Sequence, residues 1–389
     1  MSAGPAFGLT EDNADLLWSP AQRTASGGVA FQRSREQLTA LHPSYIRLLV
    51  DWAALQPTAG LAPTLDGAVS GCARQTAPCG AFAGLREEFA AIASQQRAAR
   101  AAGEDGFQIV LDVFGTPAWA ARPVDGCEPS ATQPFSRPVT AGGLAGYRQL
   151  IGELLALGAQ EGVQLSWWSP WNEPNNPQFL SPQRAACASD SPSLAPAVYA
   201  QLASAMAEAL NTAGGTHHLL LGELASYATD SPHRTSIASF VAALPARVLC
   251  LSETWSIHAY PRFGGGARRG DSVGELERAL DARGPCGRAA SLWISETGAG
   301  APHPGRPRRG APGEAREGCL ALADQLVRWT HDARIGAVLQ YSFREDPAYP
   351  VGLLSADLTH VYPSYGLWLL YTRMRARGEL PASPGALCA

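Results

Sequence analysis

Eight short runs rich in β-branched and aromatic residues recur along the 389-residue chain, and between them apolar residues fall three and four apart. Runs of the first kind read as strands and stretches of the second kind as helices, so their alternation implies βαβ units and a parallel sheet. The predicted strands are Ala6–Thr10, Tyr45–Val50, Gln108–Phe114, Gln164–Ser169, Leu219–Glu223, Thr254–His258, Ser291–Ser295 and Ala337–Tyr341. Helical stripes between them include Tyr147, Ile151, Leu154 and Leu155, then Tyr199, Leu202, Met206 and Leu210, all read as core-facing. Eight units in this order, with no dinucleotide glycine fingerprint after the first strand, favour a closed (β/α)8 TIM barrel over an open sheet. Residues 1–389 are expected to form one α/β catalytic domain of this kind.

The chain exceeds the roughly 250 residues typical of such a barrel, and the excess follows strands. Insertions lie near 115–140, 174–194, 261–271 and 298–312. Loops that follow strands build the C-terminal face, where barrel active sites sit. Gly (40) and Pro (30) gather in these connections, which suits long, structured loops.

A formal charge of −4 supplies no global field that would draw the chain to nucleic acid or an anionic membrane. No apolar run is long enough to span a bilayer, and Met1-Ser2-Ala3-Gly4-Pro5 lacks the basic and apolar regions of a signal peptide. A monomer without a nucleic-acid or membrane partner is expected. The eight cysteines show no zinc-ligand spacing. Several of them sit in polar loops, which suits disulfides and therefore an exported protein. Cys250 and Cys286 each precede a neighbouring strand on the N-terminal face and are expected to pair. By similar placement Cys127 pairs with Cys187, Cys72 with Cys79, and Cys319 with Cys388.

Two acids carry the chemistry. Glu173, in Ser166-Trp167-Trp168-Ser169-Pro170-Trp171-Asn172-Glu173-Pro174-Asn175, follows the fourth strand and is framed by indoles, an unfavourable place for an ordinary surface charge. A carboxyl so placed faces the barrel mouth and suits a group that must deliver a proton. Glu296 closes the seventh apolar run in Leu292-Trp293-Ile294-Ser295-Glu296-Thr297-Gly298. The ends of the fourth and seventh strands face each other across a barrel, so the two carboxyls converge. A separation near 5–5.5 Å supports double displacement, whereas one near 6.5–9.5 Å leaves room for water and inverts.

With these residues in place, the chain resembles glycoside hydrolase clan A, the retaining barrel enzymes, and is closest in feel to family 39, with families 5 and 30 as relatives. The resemblance rests on Trp171-Asn172-Glu173-Pro174-Asn175 and Ser295-Glu296-Thr297-Gly298, and extends over nearly the whole chain. It implies Glu173 as general acid/base, Glu296 as nucleophile, Arg47 of the second strand beside that nucleophile, and Asn172 on a sugar hydroxyl. It also implies that His258 and Tyr260, in Ser256-Ile257-His258-Ala259-Tyr260-Pro261, line the site, with Tyr260 orienting Glu296. Where many clan members end the eighth strand with a tryptophan under the sugar, this chain has Gln340-Tyr341-Ser342-Phe343, so Tyr341 or Phe343 must serve.

Further substrate contacts are expected from Glu223 at the end of the fifth strand, from Asp51 and Trp52 after the second, and from Trp119 after the third. Trp119, Trp171 and Phe343 are candidate stacking faces for sugar C–H groups. Glu253 repeats the look of the Glu296 motif but precedes its strand and belongs to the opposite end. Arg268, Arg269, Arg306, Arg308 and Arg309 read as solvated loop residues, with recognition of acidic sugar substituents as the alternative. The expected activity is retaining hydrolysis of O-glycosidic bonds in an oligo- or polysaccharide, with no metal or cofactor. A transglycosylase on the same residues and a non-catalytic carbohydrate-binding barrel are the alternatives.

Overall fold

A computed structural model describes residues 4–10, 28–66, 69–70, 81–82, 84–129, 132–261, 271–299, 312–346, 349–379 and 384–388. Eight parallel strands form the frame: β1 (Ala6–Thr10), β2 (Tyr45–Asp51), β3 (Gln108–Phe114), β4 (Trp167–Ser169), β5, β6 (Thr254–His258), β7 (Ser291–Thr297) and β8 (Ile335–Tyr341). Strand β5 comes in two segments, His218–Leu219 and Leu221–Ala225. The first segment pairs with β4 and the second with β6, while β1 pairs with β8, so the sheet curls into a nearly closed barrel whose two ends meet along β5. Helices Gly28–Leu41, Leu85–Ala101, Gly143–Glu161, Ala195–Ala213, Ile237–Ala243, Ser272–Asp281, Pro312–His331 and Pro363–Ala376 follow the strands in turn. The α/β TIM barrel expected from the sequence is the fold.

Predicted and observed strands differ where backbone geometry intervenes. In β5, Gly222 has φ +102°, and a Cβ there would lie 2.5 Å from the carbonyl oxygen of Ser256, so glycine is required for this close approach. The ladder to β6 shifts register between Leu221 and Leu224, a bulge that re-aims the intervening side chains. Strand β7 runs on to Thr297, which places Glu296 inside the strand beside a second register shift.

Residues two apart on a strand share a face, and this periodicity stacks two unlike layers near the barrel axis. Tyr45, Val110, Trp167 and Trp293 lie in a cluster at the N-terminal ends, with Trp293 4.5 Å from Tyr45 and 4.4 Å from Trp167 between ring centroids. Two residues further along the same strands stand Arg47, Asp112, Ser169 and Ser295, all fully buried. An apolar floor therefore carries a polar layer directly above it. Outside the ring, the expected helical stripes are buried against the strands: Tyr147, Ile151, Leu154, Tyr199, Leu202, Met206 and Leu210. Leu155 is half-buried.

Three disulfides join Cys127 to Cys187, Cys250 to Cys286 and Cys319 to Cys388. These are three of the expected pairs; Cys72 and Cys79 lie outside the described residues, as do Arg268, Arg269, Arg306, Arg308 and Arg309. The Cys250–Cys286 bridge spans 36 residues of sequence. A Cys250→Ala/Cys286→Ala double variant should lose roughly 3–4 kcal/mol of stability, by the chain entropy such a closure removes. Denaturant unfolding under non-reducing conditions checks this, and an unchanged midpoint would refute it.

Candidate active site

The polar layer is organised around Arg47, whose guanidinium is wholly buried. Its Nη1 donates to Glu296 Oε1 at 2.8 Å, and its Nη2 lies 2.6 Å from Asp112 Oδ2, 2.9 Å from Asn172 Oδ1 and 3.0 Å from Glu223 Oε2. Strands β2, β3, β5 and β7 and the turn after β4 thus converge on one planar fork, a geometry that arginine offers and lysine does not.

Above it stand the two acids. Glu173 follows β4 in the left-handed region (φ +39°), which turns its side chain back over the ring; Asn176 Nδ2 donates to its Oε2. Glu296 receives the hydroxyl of Tyr260 on Oε2 at 2.7 Å as well as the Arg47 bond on Oε1. Between the acids sits His258, with Nδ1 2.8 Å from Glu173 Oε1 and 3.3 Å from Glu296 Oε2. One oxygen of each acid and this nitrogen all lie within 4.8 Å of one another. On its far side His258 Nε2 meets Glu223 Oε2 at 2.6 Å.

Burial and charge set the protonation of this layer. Burial alone would raise Glu223, but the Arg47 charge, the His258 bond and charge, and the Ser295 hydroxyl outweigh it and hold the carboxyl down at about 2. Burial works against a charged His258, yet Glu296, Glu173 and Glu223 surround it and push it up to about 10. Asp112 goes the other way: burial, reinforced by the charge of Glu223, holds it well above the usual carboxyl range despite Arg47. Burial and the neighbouring Glu296 raise Tyr260 in the same direction, so its hydroxyl remains a donor. Glu173, His258 and Glu296 are the one group among the described residues with donor atoms close enough together for a metal ion. Both His258 ring nitrogens lie within hydrogen-bonding distance of carboxylate oxygens, an arrangement that serves proton chemistry.

Solved structures with this fold include glycoside hydrolases of three families. A family 39 glycoside hydrolase from the gut symbiont Bacteroides cellulosilyticus WH2 is 16% identical over 95% of this chain and 64% of that one, with a TM-score of 0.55. GH5_18 from Streptomyces cattleya, in complex with GlcNAc, is 18% identical over 97% and 82%, with a TM-score of 0.57. The catalytic domain of GH30 xylanase C from Talaromyces cellulolyticus is 11% identical over 96% and 76%, with a TM-score of 0.54. The chain therefore spans just under two thirds of the length of the first of these. At such identities the likeness establishes the shared barrel. No protein-family model and no curated protein matches the chain.

The remaining expected residues separate into two groups. Arg47, Asn172, Glu223, His258 and Tyr260 gather around the two acids, but Glu223 is fully buried beneath His258 rather than turned to the mouth. Tyr341 is half-buried at the end of β8 and lies 5.8 Å from the ring of Tyr349, which in turn lies 5.2 Å from Tyr260. The others are engaged elsewhere. Asp51 accepts from the backbone N–H of Ala54 and caps the short helix Trp52–Leu55. Trp52 is fully buried, 6.0 Å from Trp119 and 5.5 Å from Tyr147, and both indoles donate to Gln56. Trp171 and Phe343 are fully buried too, so neither offers an open ring face. Glu253 is exposed at the opposite end of the barrel.

Sequence reasoning missed Asp112, Asn176 and Tyr349. Asp112 had a signal: it is a lone charge in the apolar run Gln108-Ile109-Val110-Leu111-Asp112-Val113-Phe114, two residues before the strand ends. Tyr349 had none, because it lies well past β8 in an irregular segment.

Proposed function

We propose that the protein is a retaining O-glycosidase acting on an oligo- or polysaccharide, with Glu296 as nucleophile and Glu173 as general acid/base. The observation that carries this reading is the approach of a Glu173 oxygen to within 4.8 Å of a Glu296 oxygen across the mouth. So close an approach of one oxygen pair is compatible with the roughly 5–5.5 Å carboxyl spacing that double displacement uses. Support also comes from Glu296, which is held by Arg47 and Tyr260 with one oxygen bound on each side and so is fixed for in-line attack. The glycoside hydrolases that share the barrel support a carbohydrate substrate.

Glu296 attacks the anomeric carbon while Glu173 protonates the leaving oxygen, and a glycosyl ester on Glu296 results. Glu173 then takes a proton from water, whose oxygen displaces Glu296 from the anomeric carbon. Asn172, fixed to Arg47 through its carbonyl oxygen, keeps its amide donors for a sugar hydroxyl. The Tyr260, Tyr349 and Tyr341 rings supply the aromatic wall beside the nucleophile in place of a strand-eight tryptophan. Three disulfides fit a protein working outside the cytoplasm, and no helix among the described residues is long and apolar enough to cross a membrane.

The test is a panel of aryl glycosides and polysaccharides, followed by NMR of the first-formed anomer of any product. Retained configuration is the expected result. Inverted product would overturn the mechanism, and failure to cleave any glycoside would overturn the function.

A further inference from the structure

Among the described residues, the groups bonded to the His258 ring nitrogens are all carboxyls. Glu223 from β5 lies at Nε2, and Glu173 from the turn after β4 and Glu296 from β7 share Nδ1. Behind them Arg47 of β2 bonds both Glu223 and Glu296, Asp112 of β3 shares that guanidinium, and Tyr260, next along from β6, bonds Glu296. Glu223 Oε2 receives Arg47 Nη2 at 3.0 Å and Ser295 Oγ at 2.8 Å in addition to His258. Arg47 and Ser295 both donate to this oxygen, as they would to an ionised carboxylate, and Nε2 facing it at 2.6 Å then carries the hydrogen. If Nδ1 were bare, its lone pair would face Glu296 and would draw the proton that Glu173 owes to the leaving group.

We propose that Glu223 is a positioning residue that keeps His258 doubly protonated, so that its Nδ1–H serves Glu296 and Glu173 in turn as negative charge passes between them. The proposal rests on the glycosidase reading of those two acids. Before attack the charge is on Glu296, and Glu173 holds a proton. In the first step the Glu296 oxygen bonds the anomeric carbon, the bond to the leaving oxygen breaks, and Glu173 gives its proton to that oxygen; the charge is now on Glu173. In the second step Glu173 removes a proton from water, the water oxygen bonds the anomeric carbon, and Glu296 departs with the electron pair. The two acids together carry one negative charge throughout. One fixed N–H donor therefore suffices, and it need only tilt between partners that lie 2.8 Å and 3.3 Å away. No proton leaves the imidazolium, because Glu223 holds it from below. Glu223 is buried with a left-handed backbone (φ +50°), out of reach of a substrate.

Two readouts decide the matter on the full chain and its Glu223→Gln variant. In protein with 15N-labelled histidine, the His258 resonances are assigned by their absence in His258→Asn. Both nitrogens of wild-type His258 should stay protonated from about pH 5.5 to 8.5, and in Glu223→Gln one should titrate inside that window, toward the ordinary value of about 6.5. Correspondingly, kcat of the variant should fall about tenfold or more between pH 6 and pH 8, with KM unchanged. A neutral ring nitrogen in the wild type at pH 7 overturns the proposal, whether or not Glu223→Gln folds. So does a variant that keeps the wild-type pH profile, or one that raises KM alone, which would make Glu223 a substrate contact. The NMR readout needs no substrate, so an inactive wild type would overturn the glycosidase reading and leave the His258 result to be judged separately.

Discussion

Glu296→Ala should lower turnover on the order of 10^4–10^6-fold, and added azide should restore it by forming a glycosyl azide of inverted anomeric configuration. Removing the carboxylate leaves space at the anomeric carbon, and a small anion entering there performs one displacement instead of two. Glu173→Ala should behave differently. Its loss should cost about 10^2–10^4-fold on substrates with poor leaving groups and much less on activated aryl glycosides, which need no proton. Azide should then capture the glycosyl ester on Glu296 and give product of retained configuration. The two variants thus separate nucleophile from acid/base by product stereochemistry, read by NMR. Full residual activity in Glu296→Ala would remove it from the nucleophile role.

The largest effect on stability is expected at Arg47. Arg47→Met removes the guanidinium that bonds Glu223 and Glu296 and leaves both buried without it; Asp112 and Asn172 lose their donor as well. Breaking a buried pair from one side costs about 3–5 kcal/mol, a large share of the 5–15 kcal/mol that ordinarily holds a domain together. Arg47→Lys should not restore it, since one ammonium cannot span acceptors on both Nη1 and Nη2. Denaturant midpoints measure the loss, and a shift below 1 kcal/mol in Arg47→Met would show that the carboxyls are neutralised by protonation instead.

The barrel was legible because eight apolar runs alternate with helical stripes, and no local accident in one run alters that count. Glu173 and Glu296 were legible because each carboxyl follows an apolar run where no solvated charge belongs. Glu223 was visible as a strand-end acid, but its placement was not: the glycine at 222 and the bulge beside it turn the chain out of period-two register, and sequence alternation predicts nothing there. The tryptophans divide for another reason. Trp52, Trp119 and Trp171 each spend the indole N–H on a carbonyl group and the ring on packing, and an indole in core and an indole under a sugar have the same one-letter code. Asn172 and Arg47 came from resemblance rather than from pattern. Their mutual bond at 2.9 Å ties the two side chains into one layer.

The loops after β3 and β4 are joined at several points. Cys127 bonds Cys187 covalently, the Cys127 N–H donates to the carbonyl of Arg184, and Ser136 and Ser181 share a backbone bond and approach Gln178 through the Ser136 hydroxyl. In chimeras with other barrels, a crossover between residues 136 and 178 would separate the partners of every one of these contacts, and one anywhere between 127 and 187 would break the disulfide. The two loops should therefore transfer only as a single cassette, and shuffled libraries should recover viable recombinants whose breakpoints fall before the first loop or after the second.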